Sequence, residues 1–154
     1  MSVMPVVEQS VTIALPPSEV WDFLVDAQNW ATWESSVLEC EQTSEGPPGV
    51  GARWRGVNRV LGKRIQWESE FVEFEPGKGS TSKSVEGGDL TFTATTRLED
   101  VDGGGSTLLT YRLDIDSGIG GIFGKLSDPI VAKAHSRTVR ASLDNLADLM
   151  TTDN

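Results

Sequence analysis

The apolar positions of this chain change their period twice. Residues 7–14 alternate apolar and polar side chains, and a period of two predicts a half-buried strand. Pro16 and Pro17 end that pattern, because proline cannot donate a hydrogen bond to a sheet ladder. Between residues 18 and 24 the apolar side chains fall at helical spacing, and Ser18 is placed to cap this short helix.

Strand patterns separated by glycine-rich turns occupy the middle of the chain. Short turns between consecutive strands predict an antiparallel meander, because parallel strands would need long crossover connections. Strands are predicted at residues 37–45, 52–59, 63–74, 81–85, 90–98 and 107–115.

A single helical pattern runs from Pro129 to the last residues, and proline suits the first turn of a helix. The apolar stripe of this helix begins at Val139. One turn earlier, the same face of the helix carries the polar residues His135 and Ser136. One long helix is a narrow cover for a broad sheet, so the pattern predicts a hollow between them. The stripe consists of Val139, Leu143, Leu146, Ala147 and Met150.

The register of the 52–74 hairpin can be predicted by counting outward from a two-residue turn at Leu61-Gly62. Opposite charges then meet on one face, and each tryptophan meets a small residue on the other. Arg53 and Arg55 are therefore interpreted as surface ladder residues rather than ligand contacts. The predicted pairs are Arg53 with Glu70, Trp54 with Ser69, Arg55 with Glu68, Gly56 with Trp67 and Val60 with Lys63.

The last hairpin turns at Gly103, and its longer turn leaves the register open. A shift of two residues would keep every side chain on its face and change only the partners, so the pattern determines faces rather than pairs. One register pairs Leu98 with Thr107, Ala94 with Tyr111, Phe92 with Leu113 and Leu90 with Ile115.

Composition narrows the classes of function. The 154 residues suit one domain, and 23 acidic against 13 basic residues give a net charge of −10. No cationic surface is available to displace phosphate counterions, which argues against nucleic acid and against anionic membrane surfaces. No apolar window approaches the roughly 20 residues of a membrane span, and no secretory signal is apparent. We therefore expect a cytoplasmic protein without membrane insertion.

Several chemistry-bearing motifs are absent or incomplete. Cys40 is the only cysteine, and a lone thiol is more often a small apolar residue than a nucleophile. No His, Cys and acid cluster has metal-ligand spacing, so no metal or cofactor is predicted. Residues 118–124 imitate a glycine-rich dinucleotide loop, but no third strand follows, and a strand-to-helix gate is the preferred interpretation.

The order of these elements resembles a known family. A strand is followed by Pro-Pro-Ser-Glu-Val-Trp-Asp-Phe-Leu-Val-Asp at 16–26, then by a Trp-x-x-Trp segment at 30–33, a meander and one terminal helix. This resembles the START-like (SRPBCC) superfamily, and within it the polyketide cyclase/dehydrase and lipid-transport family. The resemblance implies an α+β helix-grip fold over 1–154: six to seven curved antiparallel strands wrapped on the long helix, with two short helices after strand 1.

The resemblance also implies that a small hydrophobic molecule binds between sheet and helix. Pockets of this kind combine apolar walls with a few converging polar groups. A filled core without any ligand is the structural alternative. The predicted ligand-binding residues are Trp54, Asn58, Trp67, Ser69, Phe71, Phe92, Tyr111, His135 and Val139.

Three functions stay open at this stage. The first is a binding or carrier protein for a lipid-like or polyketide-like compound. The second is a cyclase or dehydratase in which His135 acts as general acid or base and Tyr111 donates to a developing oxyanion. A single histidine without an orienting carboxylate is, however, more typical of a structural residue. The third is a regulatory protein-binding module, and a homodimer is left open in every case.

Overall fold

Seven strands form one antiparallel sheet in this protein, whose computed structural model describes residues 6–60, 62–85, 91–115 and 129–151. The strands are β1 (Val6–Ile13), β2 (Val37–Gln42), β3 (Arg53–Val60), β4 (Lys63–Glu75), β5 (Gly79–Ser84), β6 (Phe92–Val101) and β7 (Ser106–Ile115). They lie in the order β1-β7-β6-β5-β4-β3-β2, so β1 and β2 form the two edges. The sheet curls into a half-barrel, and the predicted α+β helix-grip fold is confirmed.

Two short helices connect the edge strands, as predicted: α1 (Pro17–Leu24) and α2 (Trp30–Trp33), the latter preceded by a 3₁₀ turn at Ala27–Asn29. The prediction that Ser18 caps α1 is wrong. Pro16 is the N-cap, and its carbonyl accepts from the amides of Glu19 and Val20 at 3.1 and 3.2 Å. Pro17 at the first helical position has no N–H, so the helix start has one fewer donor to satisfy.

The long helix α3 (Pro129–Thr151) closes the described chain. Its predicted apolar stripe faces the core, with Leu143 and Leu146 both at 0% exposure. The helix runs along β1, where Gln9 Nε2 donates to Ser136 Oγ at 2.6 Å. None of the described helices is long and apolar enough to cross a membrane.

The β3–β4 hairpin has the predicted register at every pair, from Arg53 with Glu70 to Val60 with Lys63. Gly56 explains why Trp67 can pair only with a glycine at this position of the hairpin. A Cβ at that position would lie 2.3 Å from Cζ2 of Trp67 and 2.6 Å from the carbonyl oxygen of Glu39. The indole therefore lies across the glycine, and no other residue type fits opposite it without a shift.

The β6–β7 register differs from the predicted pairing by two residues, while the predicted faces are confirmed. Strand β6 continues to Val101. The chain turns tightly only after that residue, where Asp102 and Gly103 adopt positive φ angles of 55° and 64°. Leu90 lies outside the described residues. The observed pairs are Phe92 with Ile115, Ala94 with Leu113, Thr96 with Tyr111, Leu98 with Leu109 and Asp100 with Thr107.

The width of the sheet explains why α3 alone cannot cover it. Seven strands about 4.8 Å apart span roughly 29 Å, whereas a helix with its side chains is about 10–12 Å wide. The described part of α3 packs over the β1 side, next to Ile13 and Leu109. The segment from α1 to α2 covers the other side, where Ala27 and Trp30 pack against Trp54 and Phe71.

Candidate ligand-binding site

A cavity of about 100 Å³ lies on the concave face of the sheet. Its floor comes from β2 to β7 and its roof from α1, α2 and the residues just after each. An apolar cavity of about 150 Å³ holds benzene, and this space is about two thirds of that volume, so it is on the scale of one ring or a chain end. The described lining consists of Trp21, Leu24, Val25, Trp30, Glu34, Val37, Cys40, Trp54, Asn58, Trp67, Ser69, Phe71, Ser80, Ser82, Phe92, Ala94, Thr96, Tyr111 and Leu113.

The structure brings together seven of the nine side chains predicted from the sequence. Val139 is the exception among the described ones: it is buried at 6% exposure but does not line the cavity, because the α1–α2 segment forms the described roof. His135 belongs to α3, and its side chain lies outside the described residues. The seven that line the cavity are Trp54, Asn58, Trp67, Ser69, Phe71, Phe92 and Tyr111.

Seven of the nineteen described lining residues are aromatic, and neighbouring rings among them meet edge to face. Trp30 is central in the roof: its ring centroid lies 6.0 Å from that of Trp54 and 5.9 Å from that of Tyr111. On the floor, Trp67 and Phe92 meet at 5.8 Å with an interplanar angle of 90°. This geometry is the preferred one for aromatic pairs, and it holds flat rings apart rather than stacked.

Hydrogen bonds fix the orientation of two of these indoles. Trp30 Nε1 donates to the carbonyl oxygen of Leu24 at 2.8 Å, which ties the roof to the end of α1. Trp67 Nε1 donates to Asn58 Oδ1 at 2.8 Å, so Asn58 positions a ring as well as lining the cavity itself. The Asn58 amide in turn donates to Ser36 Oγ at 3.4 Å.

Glu34 is the one buried acidic side chain in the described chain, with 8% exposure. Its carboxylate accepts from the hydroxyl of Ser36, from the Ser36 amide at 3.3 Å and from Ser142 Oγ at 3.1 Å. Ser142 lies on α3 at 1% exposure and also accepts from the Ser35 amide at 3.2 Å. The carboxylate therefore links the end of α2 to α3 while lining the cavity.

The other titratable groups of the lining are held neutral. Burial raises the pKa of the Tyr111 phenol, and the negative charge of Glu34 and the Cys40 thiol raise it further. Burial and, to a smaller extent, the charge of Glu41 raise the pKa of Cys40 from 9.0 to about 12. Both groups keep their protons at neutral pH, so Cys40 is not poised as a nucleophile and Tyr111 is a hydrogen-bond donor.

The arginines interpreted as surface residues lie on the outer face. Arg53 Nε is 3.0 Å from Glu70, and its Nη1 is 3.7 Å from Glu68. Arg55 pairs with Glu41 on β2 rather than with its ladder partner Glu68. None of the described His, Cys, Asp and Glu side chains forms a group that could hold a metal ion. The glycine-rich stretch 118–124 lies outside the described residues.

Sequence reasoning did not place Glu34 or Trp30 in the site. Trp30 belonged to a recognised Trp-x-x-Trp segment, and its spacing gave no indication of which ring would face inward. Glu34 follows that segment directly and precedes two serines, and since glutamate and serine are mostly exposed residue types, the local sequence gave no signal of its burial. Three more missed residues, Trp21, Leu24 and Val25, belong to α1 or follow it directly. The others lie on the strands and are Val37, Cys40, Ser80, Ser82, Ala94, Thr96 and Leu113.

The model of the family described as polyketide cyclase / dehydrase and lipid transport matches residues 4–151. No curated protein matches the chain. Among solved structures, TTHA0849 from Thermus thermophilus has a TM-score of 0.75 at 24% identity, covering 94% of this chain and 95% of that one. A START superfamily protein from Mycobacterium smegmatis has a TM-score of 0.73 at 16% identity, covering 95% and 99%.

A third structure is the Zhui aromatase/cyclase from Streptomyces sp. R1128. It has a TM-score of 0.70 at 21% identity and covers 95% of this chain and 90% of its own. At such identities the likeness establishes the shared fold.

Proposed function

Because the chain belongs to the polyketide cyclase / dehydrase and lipid-transport family, we propose that it binds a small hydrophobic molecule, lipid-like or polyketide-like, without covalent attachment. The ligand occupies the cavity between the sheet and its helical cover. Typical pockets for larger ligands have about 300–1,000 Å³, so the ligand inserts a single ring or a chain end, and the rest extends from the mouth.

The observation that carries this proposal is the composition of the cavity wall. Rings of Trp30, Trp54, Trp67 and Tyr111 surround an unfilled space on the concave face of the sheet. A void loses the contacts that a filled core would make, so leaving one has a cost in stability. A ligand that enters the void recovers those contacts, which is the physical basis for binding.

Mass spectrometry of the protein before and after denaturation tests the proposal, because a bound small molecule is released only on unfolding. Calorimetric titration with single-ring and polyketide-like compounds then measures affinity. Trp67→Ala should weaken binding while the protein stays folded, since it removes one wall of the cavity. Val72→Ala is the matched control on β4, because Val72 is 39% exposed and does not line the cavity. Equal affinities for both variants would remove Trp67 from the site.

A second candidate function is acid–base catalysis of ring closure or dehydration. It is favoured by the protonated Tyr111 phenol in the lining, which could donate to a developing oxyanion. The family description and the Zhui aromatase/cyclase add support. Faster cyclisation of a poly-β-ketone surrogate, slowed by Tyr111→Phe and by His135→Ala, would favour this function. A co-purifying protein without any small molecule would instead favour a regulatory module.

A further inference from the structure

The charged groups of this protein are distributed unequally between the cavity and the outer surface. Building on the ligand-binding function proposed above, we infer that the cavity accepts a neutral or cationic molecule bearing a hydroxyl or amine, and excludes carboxylates and other anions. One buried carboxylate, the outer position of every described cation, and the neutral groups of the lining together produce this selectivity.

Glu34 supplies the only charge in the described lining. Its partners Ser36 and Ser142 both donate hydrogen bonds to the carboxylate. The carboxylate remains an acceptor with further lone-pair capacity, because two oxygens offer about four sites. A ligand hydroxyl or amine can therefore donate to it, whereas a ligand carboxylate would be repelled.

Cations are found only outside the cavity among the described residues. Every described lysine and arginine is exposed, and the lining includes none of them. Arg53, Arg55 and Arg112 are already paired with glutamates or an aspartate on the outer face. An anionic ligand would thus lose its hydration without gaining a counter-ion, which is costly in an apolar site.

The remaining polar groups suit a neutral partner or a cation. Asn58, Ser69, Thr96 and the Tyr111 phenol are uncharged and line the same space. The surrounding indole and phenyl faces carry negative electrostatic potential, and such faces attract ammonium groups rather than carboxylates. The overall charge of −10 acts in the same direction by raising the local concentration of cations.

Four single-ring compounds of nearly equal size test the inference: toluene, benzyl alcohol, benzylamine and benzoate. Calorimetric titration of the full chain at neutral pH measures the affinity for each. We expect benzyl alcohol and benzylamine to bind at least about tenfold more tightly than benzoate, because only benzoate carries an uncompensated negative charge. This comparison uses the unaltered protein, so it does not depend on the folding of any variant.

The variant Glu34→Gln tests whether the charge of Glu34 causes this selectivity, because the substitution keeps the shape of the side chain and removes the charge. We expect the preference for benzylamine over benzoate to fall by about tenfold or more. Glu39→Gln is the matched control, since Glu39 is exposed and does not line the cavity. It removes the same charge from the surface and should leave the preference unchanged.

The outcomes separate this inference from the function on which it rests. If toluene binds and benzoate binds as tightly as benzylamine, the cavity is a ligand site but the inference is wrong. An unchanged preference in Glu34→Gln also overturns it, because the selectivity then has another origin. If none of the four compounds binds, the ligand-binding function itself fails, and the inference fails with it.

Discussion

The concave face of the sheet is packed mainly by branched aliphatic side chains on one half, where Trp21 and Trp33 join them, and by aromatic rings on the other. Under α3, Ile13, Leu109, Leu143 and Leu146 are all at or below 1% exposure and close the core. Under the α1–α2 segment, rings such as Trp54 meet neighbouring rings edge to face and enclose the cavity. Trp21 and Leu24 belong to both halves, at the boundary between them.

The difference teaches how one sheet can provide stability and a binding site at once. Branched aliphatic side chains interdigitate and pack densely, so burial on that half contributes most directly to folding. Rigid planar rings contact each other at their edges and cannot fill every gap. The aliphatic half should therefore control the free energy of unfolding, and the aromatic half should control ligand affinity.

Leu143→Ala should have the largest effect on stability. Leu143 is fully buried, and deleting such a side chain costs about 2–5 kcal/mol, because a cavity replaces its contacts. Urea unfolding measures the loss. Leu149→Ala on the same helix is the control, since Leu149 is 41% exposed. A loss below about 1 kcal/mol in Leu143→Ala, or a loss of ligand affinity in the folded variant, would break the division between the halves.

Gly56→Ala should affect both stability and binding. The new Cβ would lie 2.3 Å from Trp67 Cζ2, so the indole must move, at a cost of about 1–3 kcal/mol. Ligand affinity should fall as well, since Trp67 lines the cavity. Gly49→Ala serves as the control, because no heavy atom lies within 4 Å of its Cβ position. Equal stability of the two variants would mean that the Trp67 ring is not held against Gly56.

Alkaline pH should destabilise the protein through the aromatic half. The pKa of Cys40 is raised from 9.0 to about 12 in the folded protein, so above pH 9 the unfolded chain releases a proton that the folded chain retains. The free energy of unfolding therefore falls as pH rises from 9 towards 12, and it is unaffected by this group below pH 9. Tyr111, whose pKa is also raised by burial, acts with the same sign.

Urea unfolding of Cys40→Ala measures the contribution of the thiol. The alkaline decline should be shallower in this variant than in the unaltered protein, with the Tyr111 contribution still present. If the free energy of unfolding fell equally with pH in both proteins, the thiol would have the same pKa in the folded and the unfolded chain. Alkylation of Cys40 below pH 9 is a second measurement, because the half-buried thiol, whose pKa burial raises, should react more slowly in the folded protein than after unfolding.

Arg53→Ala should have the smallest effect. Its side chain is 46% exposed and pairs with Glu70 on the outer face, where ion pairs contribute less than about 1 kcal/mol. Added salt should reduce even that difference, since exposed charges are screened. A marked loss of ligand affinity in this variant would place Arg53 in the site and contradict its assignment to the surface ladder.

Much of the fold followed from local patterns. The strand and helix periods depend on which face of each element is apolar, and the β3–β4 register depends on a two-residue turn and on Gly56 opposite Trp67. The β6–β7 register was not determined in this way. Its turn contains three consecutive residues with positive φ, and nothing in the alternation of β6 shows where the strand stops.

The side chains that line the floor of the cavity could be predicted from the sequence, and those that line its roof could not. Seven predicted side chains, among them Trp54 and Tyr111, line the cavity because alternation along a strand assigns each residue to one face. Val139 was placed there by the same helical stripe that buries Leu143, and a stripe does not tell which part of the sheet the helix covers.

The sequence by itself determined which side chains of the strands and of the long helix turn inward, since that choice depends on the period of each element and on the turn beside it. Tertiary structure alone decided that α3 packs towards β1, that Trp30 forms the roof, and that Glu34 is buried against Ser142. The physical reason is distance along the chain: Glu34 and Ser142 are 108 residues apart, and only the closed fold brings them into contact.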